Sequence, residues 1–246
     1  MPASPPLVGK FVAVRREIVR KLRQVGVVET VAHIMKKMSA EMKQRRSEDP
    51  HIPDQLDSEF GIDTSGLIRV GALDIPDNRL EHAFAYQPVS SEFLLQTLET
   101  LPLQYDQWVF IDIGSGKGRA LLLASRFAFK EIVGVELSPT LCDTARQNVA
   151  RYRDPLQKCK RIQVLCQDAL DYRFPNENIV LFFYNPFGEA MTQLLASNVQ
   201  QALLANGKQL YLIYVNPLFR TVWDDLDLLE AIQACDKHAI FRTRRS

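Results

Sequence analysis

Apolar positions along this chain follow two rhythms. From Lys10 to Arg46 they step by three or four: Phe11, Val14, Ile18, Leu22 and Val25, then, past Gly26, Val27, Val31, Ile34, Met38 and Met42. That spacing puts an apolar stripe on a helix, so two amphipathic helices are predicted. Beyond residue 108 the rhythm changes to short runs that are almost wholly apolar, at 109–113, 132–136, 161–166, 178–184 and 208–215. A parallel strand covered on both faces by helices reads this way, because neither face meets water. Between the runs lie helix-forming stretches at 91–100, from 120, and at 140–152, 189–205 and 217–226. Ser90 and Ser138 stand as N-caps, Pro139 takes a first helical position, and Asn206-Gly207 is a stop. Two last strands, 231–235 and 239–243, flank Asp236-Lys237 as a closing antiparallel hairpin. The expectation is an α/β fold, a doubly wound, mostly parallel, seven-stranded Rossmann-like sheet with an α-helical N-terminal extension.

Composition changes that picture in one place. At 46% hydrophobic and 24% charged the chain is ordinary for a globular protein, and its net charge of +1 gives no bulk attraction to nucleic acid or acidic membranes. The charge is unevenly spread, however. Residues 10–46 hold eleven Lys/Arg against three Glu, a surplus of eight. Two readings stand for this basic arm: a cap packed on the domain with its charged face in water, or a contact with an acidic partner. The division expected is an extension over 1–57 and a domain over 58–246, its core beginning at 86. Residues 49–57 read as a linker and 60–68 as turn chemistry, with Asp63 and Thr64 satisfying a turn. Cys142, Cys159, Cys166 and Cys235 show no C-x-x-C and no zinc spacing, which points to thiols in a reducing compartment and to no metal. No apolar run approaches the roughly 20 residues of a membrane span. A cytoplasmic location is expected, with organelle targeting by the Arg-rich arm as the alternative.

The chemistry centres on Val109-Phe110-Ile111-Asp112-Ile113-Gly114-Ser115-Gly116-Lys117-Gly118-Arg119. Strand, glycine turn and helix bring bare backbone N–H groups against a ligand, and a Cβ would block both the turn and the approach. A dinucleotide fingerprint needs its third glycine three residues after the second. Here Arg119 stands in that place, and a P-loop pattern is absent. Glu136 ends the next strand 22 residues after Gly114, where nucleoside-binding folds hold two ribose hydroxyls with one carboxylate.

Asp-x-Gly-Ser-Gly-x-Gly resembles motif I of the class I S-adenosylmethionine (AdoMet) methyltransferases. The resemblance runs from about Tyr86 to the C-terminus. It implies that Gly114, Ser115, Gly116 and Gly118 pass under the amino-acid part of AdoMet with Asp112 nearby. It also implies that Glu136 and Leu137 meet the ribose, and that Asp168 and Ala169 meet the adenine. Tyr86-x-Pro88-x-Ser90 ahead of that motif is similar to seven-strand protein-lysine methyltransferases, in which the matching segment folds over AdoMet, so Tyr86 would line the cofactor or methyl-transfer channel. Asn185-Pro186-Phe187 resembles motif IV of methyltransferases acting on amino nitrogens. On that likeness the Asn185 side chain, at the cofactor's edge, and the Pro186 carbonyl would accept both N–H groups of an amine or amide, with Phe187 closing one side. The motif departs from the usual one, with a single proline and Gly188 in the fourth place. The acceptor expected is a protein lysine, ahead of a nucleic-acid base or a small molecule. A nicotinamide-dependent oxidoreductase and a non-catalytic AdoMet-binding scaffold are the rivals from other classes.

Overall fold

The structure is a computed structural model that describes residues 53–244, within a unit of the chain running from His51 to Ser246. The basic helices expected over residues 10–46, and any partner of that arm, lie outside the described residues.

Seven strands form one sheet: β1 (Trp108–Ile113), β2 (Glu131–Glu136), β3 (Ile162–Cys166), β4 (Asn178–Tyr184), β5 (Leu210–Val215), β6 (Leu229–Ala234) and β7 (His238–Thr243). Their order is β3-β2-β1-β4-β5-β7-β6, and β7 runs antiparallel to both its neighbours. The apolar runs are continuous because alternate residues serve two cores. Phe110, Val180, Phe182 and Ile213 enter one, and Val109, Ile111, Leu181, Phe183 and Leu212 enter the other. Helices α3 (Ser91–Thr100) and α4 (Arg119–Ala124) cover the first face through Leu94, Leu98 and Leu121. Helix α6 (Glu189–Asn206) covers the second through Leu195, Val199 and Leu203. Helix α5 (Pro139–Arg151) connects β2 to β3 and starts as expected, with the Ser138 hydroxyl accepting from the Leu141 N–H. Connections leave β1 toward β2 on one side and β4 on the other, and that reversal opens a crevice at the strands' C-terminal ends.

The structure departs from the sequence reading in its first third. Residues 55–60 are a helix, α1 (Gln55–Phe60), capped by Asp54 and stopped by Gly61 at φ 64°. Residues 67–88, which have no clear periodicity, form a strap across the crevice. The strap carries a single 3-10 turn (Val70–Ala72) and the short helix α2 (Asp77–Leu80). Ile68 and Tyr86 exchange backbone hydrogen bonds of 3.1 and 2.9 Å, closing its two ends on each other. The helix expected over 217–226 shrinks to α7 (Thr221–Asp224). Asn216, at φ 52°, and Pro217 take up the turn before it.

Asp57 holds the approach to the strap. Its carboxylate accepts from the Thr64 N–H at 2.9 Å, the Thr64 hydroxyl at 2.6 Å and the Ser65 N–H at 2.7 Å. Burial pushes its pKa up, but the hydrogen bonds from Ser65 and Thr64 outweigh burial and leave it below the usual carboxylate value. Asp57→Ala is therefore expected to cost about 1–3 kcal/mol, the penalty for stranding buried donors, read by urea unfolding. Because the folded pKa is depressed, this stabilisation is present above the unfolded pKa near 3.9 and is lost as pH falls through the folded value. The acid loss should be smaller in Asp57→Asn.

Candidate active site

The crevice holds an elongated pocket enclosing about 820 Å³ of atom-free space, counting the part open to solvent. Its floor is the C-terminal ends of β1, β2 and β4, at Gly114, Val135, Glu136 and Tyr184. Leu137, Leu141, Asp168 and Ala169 line one side, and the strap roofs it through Leu73, Ile75, Arg79 and His82–Gln87. Pro186, Phe187 and Met191 complete the wall.

The glycine turn follows β1 directly. Gly114, Gly116 and Gly118 take φ values of 73°, 52° and 83°, the left-handed region that side chains disfavour. Close approach adds to the requirement. A Cβ on Gly116 would lie 2.2 Å from the Tyr86 ring, and one on Gly114 would lie 2.7 Å from Pro186 Cβ. The Gly116 N–H donates to Glu136 Oε2 at 2.8 Å, and the Leu137 and Ser138 N–H groups donate to Oε1 at 2.9 Å each. A carboxylate has about four acceptor sites, so Glu136 keeps roughly one for a ligand.

Asp112 is placed differently. It is 3% exposed, lies beneath the turn, and has no hydrogen-bond partner among the described residues. Burial first, and then the charge of Glu136, push its pKa well above the ordinary value. Burial also raises that of Glu136, opposed by its three backbone donors. The unsolvated, unpaired carboxylate is thus a group that a cation would satisfy.

The remaining sequence candidates fall into two sets. Tyr86, Gly114, Leu137, Asp168, Ala169, Pro186 and Phe187 reach the pocket wall. Tyr86 also packs on Gly116 and donates its hydroxyl to the Thr64 carbonyl at 2.5 Å. Asp168 caps the turn Ala169–Asp171 and forms a 2.7 Å ion pair with Arg79. Pro186 O accepts from the Phe84 N–H at 3.2 Å, and Phe187 is bridged to Ala83. Ser115 and Asn185 do not line the pocket. Ser115 Oγ is buried next to Gly134 without a partner among the described residues. Asn185, 3% exposed and at φ 38°, accepts through Oδ1 from the Tyr214 hydroxyl at 2.8 Å. Gly118 packs on Ala145 of α5, shaping the turn from behind.

Several site residues were given no site role in the sequence reading. Lys117 reaches Asp63 at 2.5 Å and the Ser65 carbonyl at 2.9 Å. Arg119 holds the Val89 carbonyl, the Thr64 and Ser91 hydroxyls and Asp54, all within 2.9 Å. These two cations, adjacent to the glycines in sequence, were visible but had no local partner to suggest a role. Arg79, His82 and Tyr184 carried no motif at all. Of the cysteines, Cys142 and Cys159 are buried and Cys166 and Cys235 exposed. Among the described residues no group of His, Cys, Asp or Glu is arranged to hold a metal ion, and no helix is long and apolar enough to cross a membrane.

Residues 110–207 match the family model described as a methyltransferase domain. With the strand order, this decides the architecture. The fold is that of the class I methyltransferases. The chain is also similar to the ribosomal protein L11 methyltransferases of Clostridium perfringens strain SM101 (33% identical over 102 residues) and strain ATCC 13124 (32%). In each case the match takes in 42% of this chain and 30% of the relative, so the chain spans about 30% of those proteins' length. Among solved structures, the chain is similar to an RNA methyltransferase from Salinibacter ruber in complex with S-adenosyl-L-homocysteine, at 17% identity and a TM-score of 0.43, over 63% of this chain and 92% of that one. A predicted N6-adenine-specific DNA methylase from Listeria monocytogenes str. 4b F2365 gives 13% identity and a TM-score of 0.48, over 64% and 51%.

Within this methyltransferase fold, Gly116→Ala is expected to cost about 1–2 kcal/mol from the left-handed backbone alone, and more from the Tyr86 contact. Combining it with Tyr86→Ala removes the collision, so the double variant should lose less stability than the two single losses added. Urea unfolding of the four proteins measures that difference.

Proposed function

We propose that the chain is an AdoMet-dependent methyltransferase acting on an amine nitrogen, with protein lysine as the acceptor class. The observation that carries the cofactor reading is the buried, unpaired Asp112 beneath the glycine turn. A nicotinamide dinucleotide would bring its anionic pyrophosphate to such a turn. An acid without a partner repels that group and attracts a ligand bearing ammonium and sulfonium charge.

The other residues fit the same molecule. Glu136 retains an acceptor site for a ribose hydroxyl, charge-assisted and so about twice as strong as a neutral hydrogen bond. Leu137, Leu141 and Ala169 offer apolar surface to an adenine, with Asp168 near enough to take its amino group once Arg79 shares or yields that carboxylate. When bound, AdoMet supplies a methyl group already activated on a sulfonium. The chain then has to hold the acceptor nitrogen in line with that methyl and keep water out, an alignment worth up to about 7–11 kcal/mol in favourable cases. A lysine ammonium sheds its proton to water first, so no dedicated base is required. The relatives named for ribosomal protein L11 support a protein acceptor. Asn185 and the Pro186 carbonyl keep their proposed role in the acceptor's orientation, Asn185 by setting the turn that presents Pro186.

Calorimetry with AdoMet and with NAD(H) tests the reading directly. AdoMet is expected to bind and NAD(H) to show no heat. Glu136→Ala should weaken AdoMet binding by tenfold or more, whereas Asn185→Ala should lower turnover and leave cofactor affinity nearly unchanged. An exchange of those two effects would overturn the assignment. Because burial, and then the charge of Glu136, raise the Asp112 pKa, a bound cation should lower it, and any proton held there should be released on binding. This appears as a binding enthalpy that depends on the buffer's ionisation heat and is absent in Asp112→Asn.

A further inference from the structure

The hydrogen bonds at the C-terminal edge of the sheet leave few polar atoms for a second ligand. Asn185 Oδ1 takes the Tyr214 hydroxyl, which itself accepts from the Phe219 N–H at 3.3 Å, and the Pro186 carbonyl takes the Phe84 N–H. The side chains of Tyr184, Gln87 and Asn216 have no partner among the described residues. All three line a second cleft of about 1550 Å³ of atom-free space, again counting the part open to solvent, whose walls include residues 87–90, Phe93, Asp236 and His238. Tyr184 and Gln87 line both this cleft and the pocket described above. They form the waist between the two.

We propose that this cleft is the acceptor site, that it takes a primary amine on a long unbranched side chain, a protein lysine, and that Tyr184 and Gln87 hold its nitrogen at the waist. The inference rests on the cofactor reading given above and adds the route and the groups that receive the acceptor. Three observations support an amine over a flat nucleobase. Only Gln87 and Tyr184 are common to the linings of cleft and pocket, so the junction is narrow and whatever crosses must be slender. No pair of ring faces remains to sandwich a base: Phe93 and His238 pack on each other with centroids 4.8 Å apart, and Phe187 packs into the core on the pocket side. At the rim the exposed Asp236 carboxylate, beside Lys237 in the same lining, has no partner among the described residues and can accept from an incoming ammonium.

The chemistry balances without another reagent. The ammonium loses one proton to water, and the freed lone pair forms the N–C bond to the methyl carbon. The C–S pair returns to sulfur, and the product nitrogen carries the positive charge. Burial raises the Tyr184 pKa, so the phenol stays protonated and its oxygen accepts an amine N–H. The Gln87 carbonyl accepts the other, and together they aim the lone pair.

The test uses tritiated AdoMet with the soluble protein and, separately, the RNA of an extract from cells lacking this chain, beside calorimetry of AdoMet binding. Label is expected as methyl-lysine after acid hydrolysis of the protein. Tyr184→Phe and Gln87→Ala should each lower kcat by about 10- to 100-fold, the scale of a small misplacement of reacting groups, with AdoMet affinity within twofold of wild type. Lys237→Trp, which fills the cleft from an exposed hairpin position, should abolish transfer and spare AdoMet binding. Wild-type transfer by Lys237→Trp, loss of AdoMet affinity in Tyr184→Phe, label in nucleosides, or no label in either fraction would each overturn the inference. Failure of the wild-type chain to bind AdoMet would instead remove the cofactor reading beneath it.

Discussion

A bare Cα at Gly116 is what the whole crevice is built against. The Tyr86 ring lies where a Cβ would be, Pro186 occupies the equivalent space above Gly114, and Ala145 closes on Gly118 at 3.2 Å. Three separate parts of the chain, the strap, the loop after β4 and helix α5, thus converge on the three glycines of one turn. Their positions relative to one another follow from contact with that turn. A methyl group on any of the three glycines would press on the part that faces it, because packed interiors have no slack of that size.

The cations adjacent to the turn extend the same logic outward. Lys117 and Arg119 reach into residues 54–65 and 89–91, where they bind carbonyls and hydroxyls. Their role is to tie the entry segment and the strap's two ends to the glycine turn. Asp57, Thr64 and Tyr86 belong to the same network, since Thr64 is bonded through its N–H, hydroxyl and carbonyl at once. Buried polar networks of this kind rigidify a site when every member is satisfied. Asp112 and the Ser115 hydroxyl stand outside that network, buried and without hydrogen-bond partners among the described residues.

The sheet was legible in the sequence because its central strands β1, β2, β4 and β5 are covered on both sides and read as almost unbroken apolar runs. The bounds of β4 and α3 coincide with the expected ones, and Ser90, Ser138 and Gly207 cap where turn chemistry places them. Glu136 and the glycines were legible through spacing. The strap was not, since residues 67–88 make only isolated bridges and a four-residue helix, and neither has a period long enough to detect. Arg79, His82 and Tyr184 were missed for a related reason. Their significance comes from the crevice they face, which tertiary folding alone creates. Asn185 shows the converse, a residue that matches a motif while its side chain turns to Tyr214 instead of the cavity.

The hydrogen bond between the Phe84 N–H and the Pro186 carbonyl joins the roof of the pocket to the loop at its far wall. Arg79, through Asp168 and the Met191 sulfur, adds a second clasp on the same side. Anything passing out beneath the roof there must part both fastenings. Dwell time inside is then governed by how often the roof lifts, a slow collective motion.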